Sequence, residues 1–181
     1  FEEKVSCVRA LLIAGNDTTA AAITNMLLIL ATDTALTEQL RHSRYDERLM
    51  RRFVEEVLRL QPPVHGLLRA TTGEVKVGNT RLPPHVQVCI LFASANDDDA
   101  KFDCPRTLDI HRGNVGQHLT FGAGIHRCIG SDLARMELRI AAEVILEHMD
   151  TIQLAIPLDE IAYLPTLATQ TIQSLPLRFS K

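Results

Sequence analysis

The ten residues Phe121-Gly122-Ala123-Gly124-Ile125-His126-Arg127-Cys128-Ile129-Gly130 constrain this chain more than any other stretch. With glycines this dense, the backbone either turns tightly or approaches something closely. A helical pattern starts where the glycines end and runs from about Ile129 to His148. Leu133, Met136, Leu138, Ile140, Ala141, Val144, Ile145 and Leu146 read as its buried face. Cys128 therefore lies just ahead of a predicted helix start, where free amides and the positive end of the helix dipole favour an anion. A cysteine so placed suits a thiolate that binds a metal or acts as a nucleophile. The plainer reading is a glycine-rich turn around an inert cysteine, which usually packs as a small hydrophobe.

The pattern F-G-x-G-x-H-x-C-x-G resembles the haem-ligand loop of the cytochrome P450 monooxygenases, in the bacterial form with His two places before Cys. Six fixed positions in such a window arise by chance with a frequency below roughly one in a million at average residue usage. The resemblance implies a mostly α fold with small β-sheets, the C-terminal portion of the cytochrome P450 fold. It also implies haem b as cofactor, with iron on the Cys128 thiolate and Phe121, Gly122, Gly130 and Ala134 around it. His126 matches the position that donates to one haem propionate.

Two more stretches resemble that family, in the same order. From Glu3 to about Ala31, Val8, Leu11, Leu12, Ala14, Ala22, Ile23, Met26, Leu27 and Leu30 recur at helical spacing. Apolar residues on more than one side predict a helix buried in a protein centre. Its middle, Ala14-Gly15-Asn16-Asp17-Thr18-Thr19, is made of poor interior helix formers that should weaken the hydrogen-bond ladder. Two readings follow: a functional bulge that admits water or ligand, or a helix end with Asn16 or Asp17 capping a second helix. Similarity to the family's central distal helix implies the first. Ala14 and Gly15 would leave room for oxygen, Thr18 would hold dioxygen by a hydrogen bond, and Asp17 would link to solvent and help deliver protons.

Asp33 to about Ser43 predicts a short helix capped by Asp33 or Thr34. Asp46 to Leu60 predicts an amphipathic helix with Leu49, Phe53, Val57 and Leu60 on one face, ended by Pro62-Pro63. It carries Glu56-Val57-Leu58-Arg59, and an E-x-x-R pair alone usually means a solvated ion pair. Followed by Pro-Pro and the Cys loop, it resembles the family's core pair, whose role is a buried salt bridge fixing the segment before the loop. A third member, commonly Arg, is expected near Phe102 to Leu108. Counting places Thr107 there, with Arg106 one position early, so either Arg106 joins after a local shift or the network has two members.

Val64 to Arg69 leads into strands: Glu74 to Val77, a Gly78-Asn79 turn, Thr80 to Leu82, then Val86 to Phe92. Arg69 is either a surface strand charge or, by resemblance, the second propionate ligand. His118 either approaches the haem edge or caps the loop. Asn96 to Asp99 reads as a helix start or a solvated loop, and Asp103 to Gly116 as an irregular meander. Short strands follow between 152 and 179, and the turn at Leu167 to Thr169 resembles the family hairpin that reaches the substrate.

Composition closes off other classes. The chain has 181 residues, 46% hydrophobic and 23% charged, with a net charge of −3, as in ordinary soluble globular chains. No basic tract interleaved with aromatics suggests nucleic acid, and no apolar run reaches the roughly 18 residues of a membrane span. Four cysteines without C-x-x-C spacing suggest reduced thiols and a cytoplasmic setting. The first residue is Phe1, and members of the family run to about twice this length. The expectation is therefore a C-terminal fragment of one domain.

The implied activity is a haem-thiolate monooxygenase acting on a small organic substrate. Its electrons would come from a separate ferredoxin or flavoprotein, since there is neither a G-x-G-x-x-G after a strand nor a cysteine cluster. Arg127 is a candidate for docking that partner. The alternative is a haem-free or non-catalytic P450-like module that binds or self-associates through apolar surface left uncovered.

Overall fold

The computed structural model describes residues 1–166 and 168–180. Its first element, α1, is one helix of 31 residues, Glu2–Thr32. The hydrogen-bond ladder runs unbroken through Ala14 to Thr19, so there is neither a bulge nor a helix end at that run. At Thr18, one of the residues expected to weaken the ladder, the hydroxyl bonds back to the preceding turn, as it does at two threonines further along. Thr18 donates its hydroxyl to the Ala14 carbonyl at 2.7 Å, and Thr24 and Thr32 donate to Ala20 and Leu28 at 2.8 Å each. Back-bonding to the preceding turn satisfies these hydroxyls without competing for the ladder.

Asp33 ends α1 and caps α2 (Thr34–His42), accepting from the Leu36 amide at 2.9 Å. Asp46 likewise caps α3 (Glu47–Leu60), accepting from Arg48 and Leu49. The helix stops at Gln61, ahead of Pro62-Pro63. Its Met50, Phe53 and Val57 face Met26 and Leu30 of α1, Leu40 of α2, and Ala142 and Leu146 of α5 (Ser131–His148) in the main core. Each of the larger of these side chains, Ala142 aside, stabilises the fold by about 1.5–3 kcal/mol on burial.

On α5 the core-facing side is Leu138, Ala142 and Leu146, with Ala141 and Ile145 packed partly buried beside them, narrower than the pattern implies. Leu133, Met136, Ile140 and Val144 form a second apolar stripe on the exposed side. Helical spacing alone cannot say which of two apolar faces packs inward.

Among the described residues, three two-stranded antiparallel sheets complete the fold. β1 (Gly66–Ala70) pairs with β4 (Gln87–Leu91), setting Gly66 opposite Leu91 and Ala70 opposite Gln87. Between them β2 (Val75–Val77) and β3 (Thr80–Leu82) form a hairpin over Gly78-Asn79. Phe92 heads a one-turn helix, α4 (Phe92–Asn96), rather than ending the strand, and Asp97 to Asp99 are loop. β5 (Thr151–Leu154) and β6 (Leu177–Ser180) pair near the C-terminus.

Between these last strands the chain makes isolated bridges, Val64 with Thr169 and Tyr163 with Ile172. Ala168 accepts from the His65 amide at 2.7 Å, and His65 Nε2 meets Gln170 Oε1 at 2.8 Å. Leu167, the first residue of the turn singled out above, lies outside the described residues.

Candidate functional site

The stretch around Cys128 is a loop with a defined internal architecture. The Gly122 amide donates to Leu119, and the Cys128 amide donates to the Phe121 carbonyl, both at 2.8 Å. Gly122 and Gly124 hold φ of 65° and 67°, a left-handed conformation that a side chain would disfavour. A single 3₁₀ turn, Gly124–His126, lifts the chain before Cys128. α5 starts at Ser131 with Gly130 as its cap, two residues later than the pattern suggested, and no side chain caps its first amides. Cys128 is exposed, as are its neighbours Ile125 and Ile129 at 97% and 92%. The inert-cysteine reading required burial, and this thiol is open.

Ala14, Gly15, Asn16 and Asp17 are exposed on α1, and Thr18 is half-buried. A Cβ added at Gly15 would meet nothing within 4 Å, so the space beside it is open. Asn16 donates to Asp17 Oδ1 at 3.0 Å. Because the Thr18 proton points at Ala14, its oxygen faces other groups as an acceptor. Ala22, one turn beyond Thr18, packs with Val54, Leu58 and Leu138 in a cluster that Phe121 also joins. That cluster ties the α1 stretch to the Cys loop.

The ion pair of α3 is buried and larger than expected. Glu56 and Arg59 are 0% and 1% exposed and doubly bonded, at 2.6 and 3.0 Å. Arg59 also donates to the carbonyls of Asn96, Pro105 and Thr107. The third member is Arg112, whose Nε reaches Glu56 Oε1 at 3.0 Å. Neither position considered from the sequence fills that place: Arg106 pairs with Asp97 in solvent at 3.0 Å, and Thr107 contributes only its carbonyl. The correction has a simple cause. Arg112 folds back over an irregular loop, where counting along the chain does not measure distance.

A second network, unforeseen in the sequence, lies beside the first. Glu55 of α3 accepts from Arg135 of α5 at 2.5 and 3.2 Å and from His118 Nε2 at 2.9 Å. Burial pushes the Glu55 carboxyl up, but the hydrogen bonds and charges of His118 and Arg135 outweigh it and bring it down to about 2. His118 is buried, and by accepting the Thr120 amide on Nδ1 at 3.2 Å it caps the loop from within. The only short-range hint was the adjacent pair Glu55-Glu56, which serves two different networks.

Arg69 is half-buried on β1 and donates to its own neighbour, the Leu68 carbonyl, at 2.8 Å. Among the described residues no carboxylate lies within salt-bridge distance of it or of the exposed His126. Ala134 lies in the first turn of α5, half-buried, its amide bonded to Gly130.

An open thiol on a glycine-shaped loop, a long helix tied to that loop through Ala22 and Phe121, and a buried E-x-x-R pair together resemble the haem-thiolate class of protein. The family model for cytochrome P450 matches residues 1–154, and the chain belongs to that family. It is 39% identical over 177 residues to pentalenic acid synthase of Streptomyces avermitilis, covering 97% of this chain and 42% of that protein. It is 36% identical to cyclomarin C epoxidase CymV of Salinispora arenicola, covering 87% of this chain and 39% of that protein. The tirandamycin C-bound P450 monooxygenase TamI superposes with a TM-score of 0.91 at 35% identity, over 97% of this chain and 43% of that one. The chain therefore spans less than half the length of the relatives it matches.

The cofactor of this family is haem, its iron held by a cysteine thiolate. The residues here fit that group. Among the described residues no three His, Cys, Asp or Glu converge as a metal site of their own. A single thiol suits a metal whose remaining positions come from a macrocycle. Exposed Ile125 and Ile129 offer apolar contact, and Arg69 and His126 offer groups for carboxylates.

Proposed function

We propose that this chain carries the haem-holding and oxygen-handling part of a P450 monooxygenase, a C-terminal portion of one domain. The reaction takes a small organic substrate R–H with dioxygen, two electrons and two protons to R–OH and water. When bound, haem with an axial thiolate supplies the oxygen-activating chemistry. The observation that carries the reading is the open Cys128 thiol on a loop pinned through the Phe121 carbonyl and shaped by Gly122 and Gly124.

In this reading Cys128 is the iron ligand, and Phe121, Gly122, Gly130 and Ala134 surround the macrocycle. Arg69 and His126 bind its two propionates. Glu56, Arg59 and Arg112 fasten the segment from Asn96 to Asp109 that leads to the loop. α1 provides the oxygen side. Ala14 and Gly15 leave the open space, the Thr18 hydroxyl turns from the Ala14 carbonyl to hold dioxygen there by a hydrogen bond, and Asp17 exchanges protons with water.

Electrons come from a separate ferredoxin or flavoprotein, and exposed Arg127 offers a cation to an acidic docking face. Four unpaired cysteines support a reducing, cytoplasmic setting. Among the described residues no single helix is long and apolar enough to cross a membrane.

The test is the protein in its full-length form, reduced under carbon monoxide. A red-shifted Soret band is expected, and Cys128→Ser is expected to abolish it. A band that survives the substitution overturns the ligand assignment.

A further inference from the structure

Phe121 links the Cys128 loop to the helical core. Its carbonyl accepts the Cys128 amide at 2.8 Å, and its ring packs on the cluster of Ala22, Val54, Leu58 and Leu138. Above that ring, 4.5 Å from its centroid, lies the Arg135 guanidinium. A cation at this distance over an aromatic face is held by the ring quadrupole.

Arg135 is itself fixed by two hydrogen bonds to Glu55, at 2.5 and 3.2 Å. The other side of the same carboxylate is held by His118 Nε2 at 2.9 Å. His118 Nδ1 in turn accepts the Thr120 amide at 3.2 Å, so the tautomer with hydrogen on Nε2 satisfies both contacts. One carboxylate on α3 thus fixes the second turn of α5, at Arg135, and the stretch of loop just before Phe121.

We propose that Glu55 and Arg135 are positioning residues for the Cys128 loop, acting through Phe121 to set how firmly the thiolate is held against the haem iron. This rests on the reading of Cys128 as the iron ligand. The geometry favours positioning over mere bracing for one reason: the chain of contacts ends on the Cys128 amide. An ion pair that only stabilised α5 would have no such endpoint. The pair Arg139–Glu143 on the same helix, at 2.6 Å, is of that kind. It is partly buried like the Glu55 network but touches neither Phe121 nor the loop.

The experiment uses the full-length haem-loaded protein. Glu55→Gln, Arg135→Met, Arg135→Lys and Arg139→Met are compared by the ferrous–CO Soret band, the iron reduction potential and the folded fraction from circular dichroism. Arg135→Met and Glu55→Gln are expected to raise the share of protein that loses the red-shifted band by roughly tenfold, the factor one charge-assisted contact carries. Both are also expected to move the potential. Arg135→Lys, which keeps the charge but not the paired hydrogen bonds, should fall between, and Arg139→Met should match the parent.

If Arg135→Met fails to fold, Glu55→Gln against Arg139→Met makes the same comparison. Variants that are less stable but keep band and potential like Arg139→Met overturn the inference while leaving the ligand reading intact. If Cys128→Ser retains the band, the ligand reading falls and takes this inference with it.

Discussion

Glu56 is one acid facing two guanidinium groups, and the balance is made by the backbone. Arg59 places all five of its N–H groups, two on Glu56 and three on carbonyls. Arg112 adds the carbonyls of Asp103, Cys104 and Thr107. Phe102, buried beneath, takes Arg59 over its ring at 5.2 Å. Removing one member strands the others, so Arg112→Met is expected to cost about 3–5 kcal/mol of stability, and Arg106→Met less than about 0.5 kcal/mol. Urea unfolding of the two variants decides it, and equal losses would restore Arg106 to the network.

Glu55 makes a different prediction. Its carboxyl is lowered from the ordinary 4.5 to about 2 in the fold. Its contribution is therefore present above pH 4.5 and lost as pH falls toward 2. The full contribution is about 3 kcal/mol. Glu55→Gln should flatten the stability–pH curve across that window, and an unchanged slope would show that other carboxylates govern it. Neither network was legible beyond E-x-x-R. Arg112, Glu55, His118 and Arg135 meet from distant parts of the chain, and nothing local to a charged residue says which distant charge it will face.

At the scale of elements, the helices were legible because burial repeats along a helix and caps sit at fixed places. Asp33 and Asp46 mark two starts, and Pro62-Pro63 marks a stop. Two departures from the helical pattern share one origin: one residue type has two behaviours. Threonine breaks a helix when its hydroxyl bonds forward, yet Thr18 bonds back and the helix continues. The pattern puts the apolar residues of α5 on one core, but the helix has two apolar sides, and one of them is exposed. The loop was legible for the opposite reason, since a positive φ at Gly122 and Gly124 leaves a mark in composition.

Two predictions belong at this scale. Gly124→Ala is expected to cost about 1 kcal/mol or more from its left-handed backbone, although a Cβ there would meet nothing within 4 Å. Thermal unfolding would show it, and no loss would mean the loop relaxes elsewhere. Thr18→Ala removes a back-bonded hydroxyl without disturbing the ladder. It should therefore keep the helix and the ferrous–CO band while diverting electrons from product, measured as reductant consumed per product formed. Full coupling in that variant would remove Thr18 from the handling of dioxygen.

For the molecule as a whole, the distribution of apolar surface decides behaviour. The first half of α1 exposes Val5, Val8, Leu11, Leu12 and Ile13, while its second half from Ala21 onward lies in the core. α5 exposes Leu133, Met136, Ile140 and Val144 at about half their full area. A chain of 181 residues that shows this much apolar surface on two helices is expected to associate with itself when prepared alone. Val8→Glu with Leu12→Lys tests this without harming the helix. The new charges stand four residues apart, with acid before base, and support α1 as they remove its apolar stripe. Sedimentation at micromolar concentration should show the parent chain as a dimer or larger and the double variant shifted toward monomer. An unchanged mass distribution would move the association away from α1, and the α5 stripe becomes the next surface to charge.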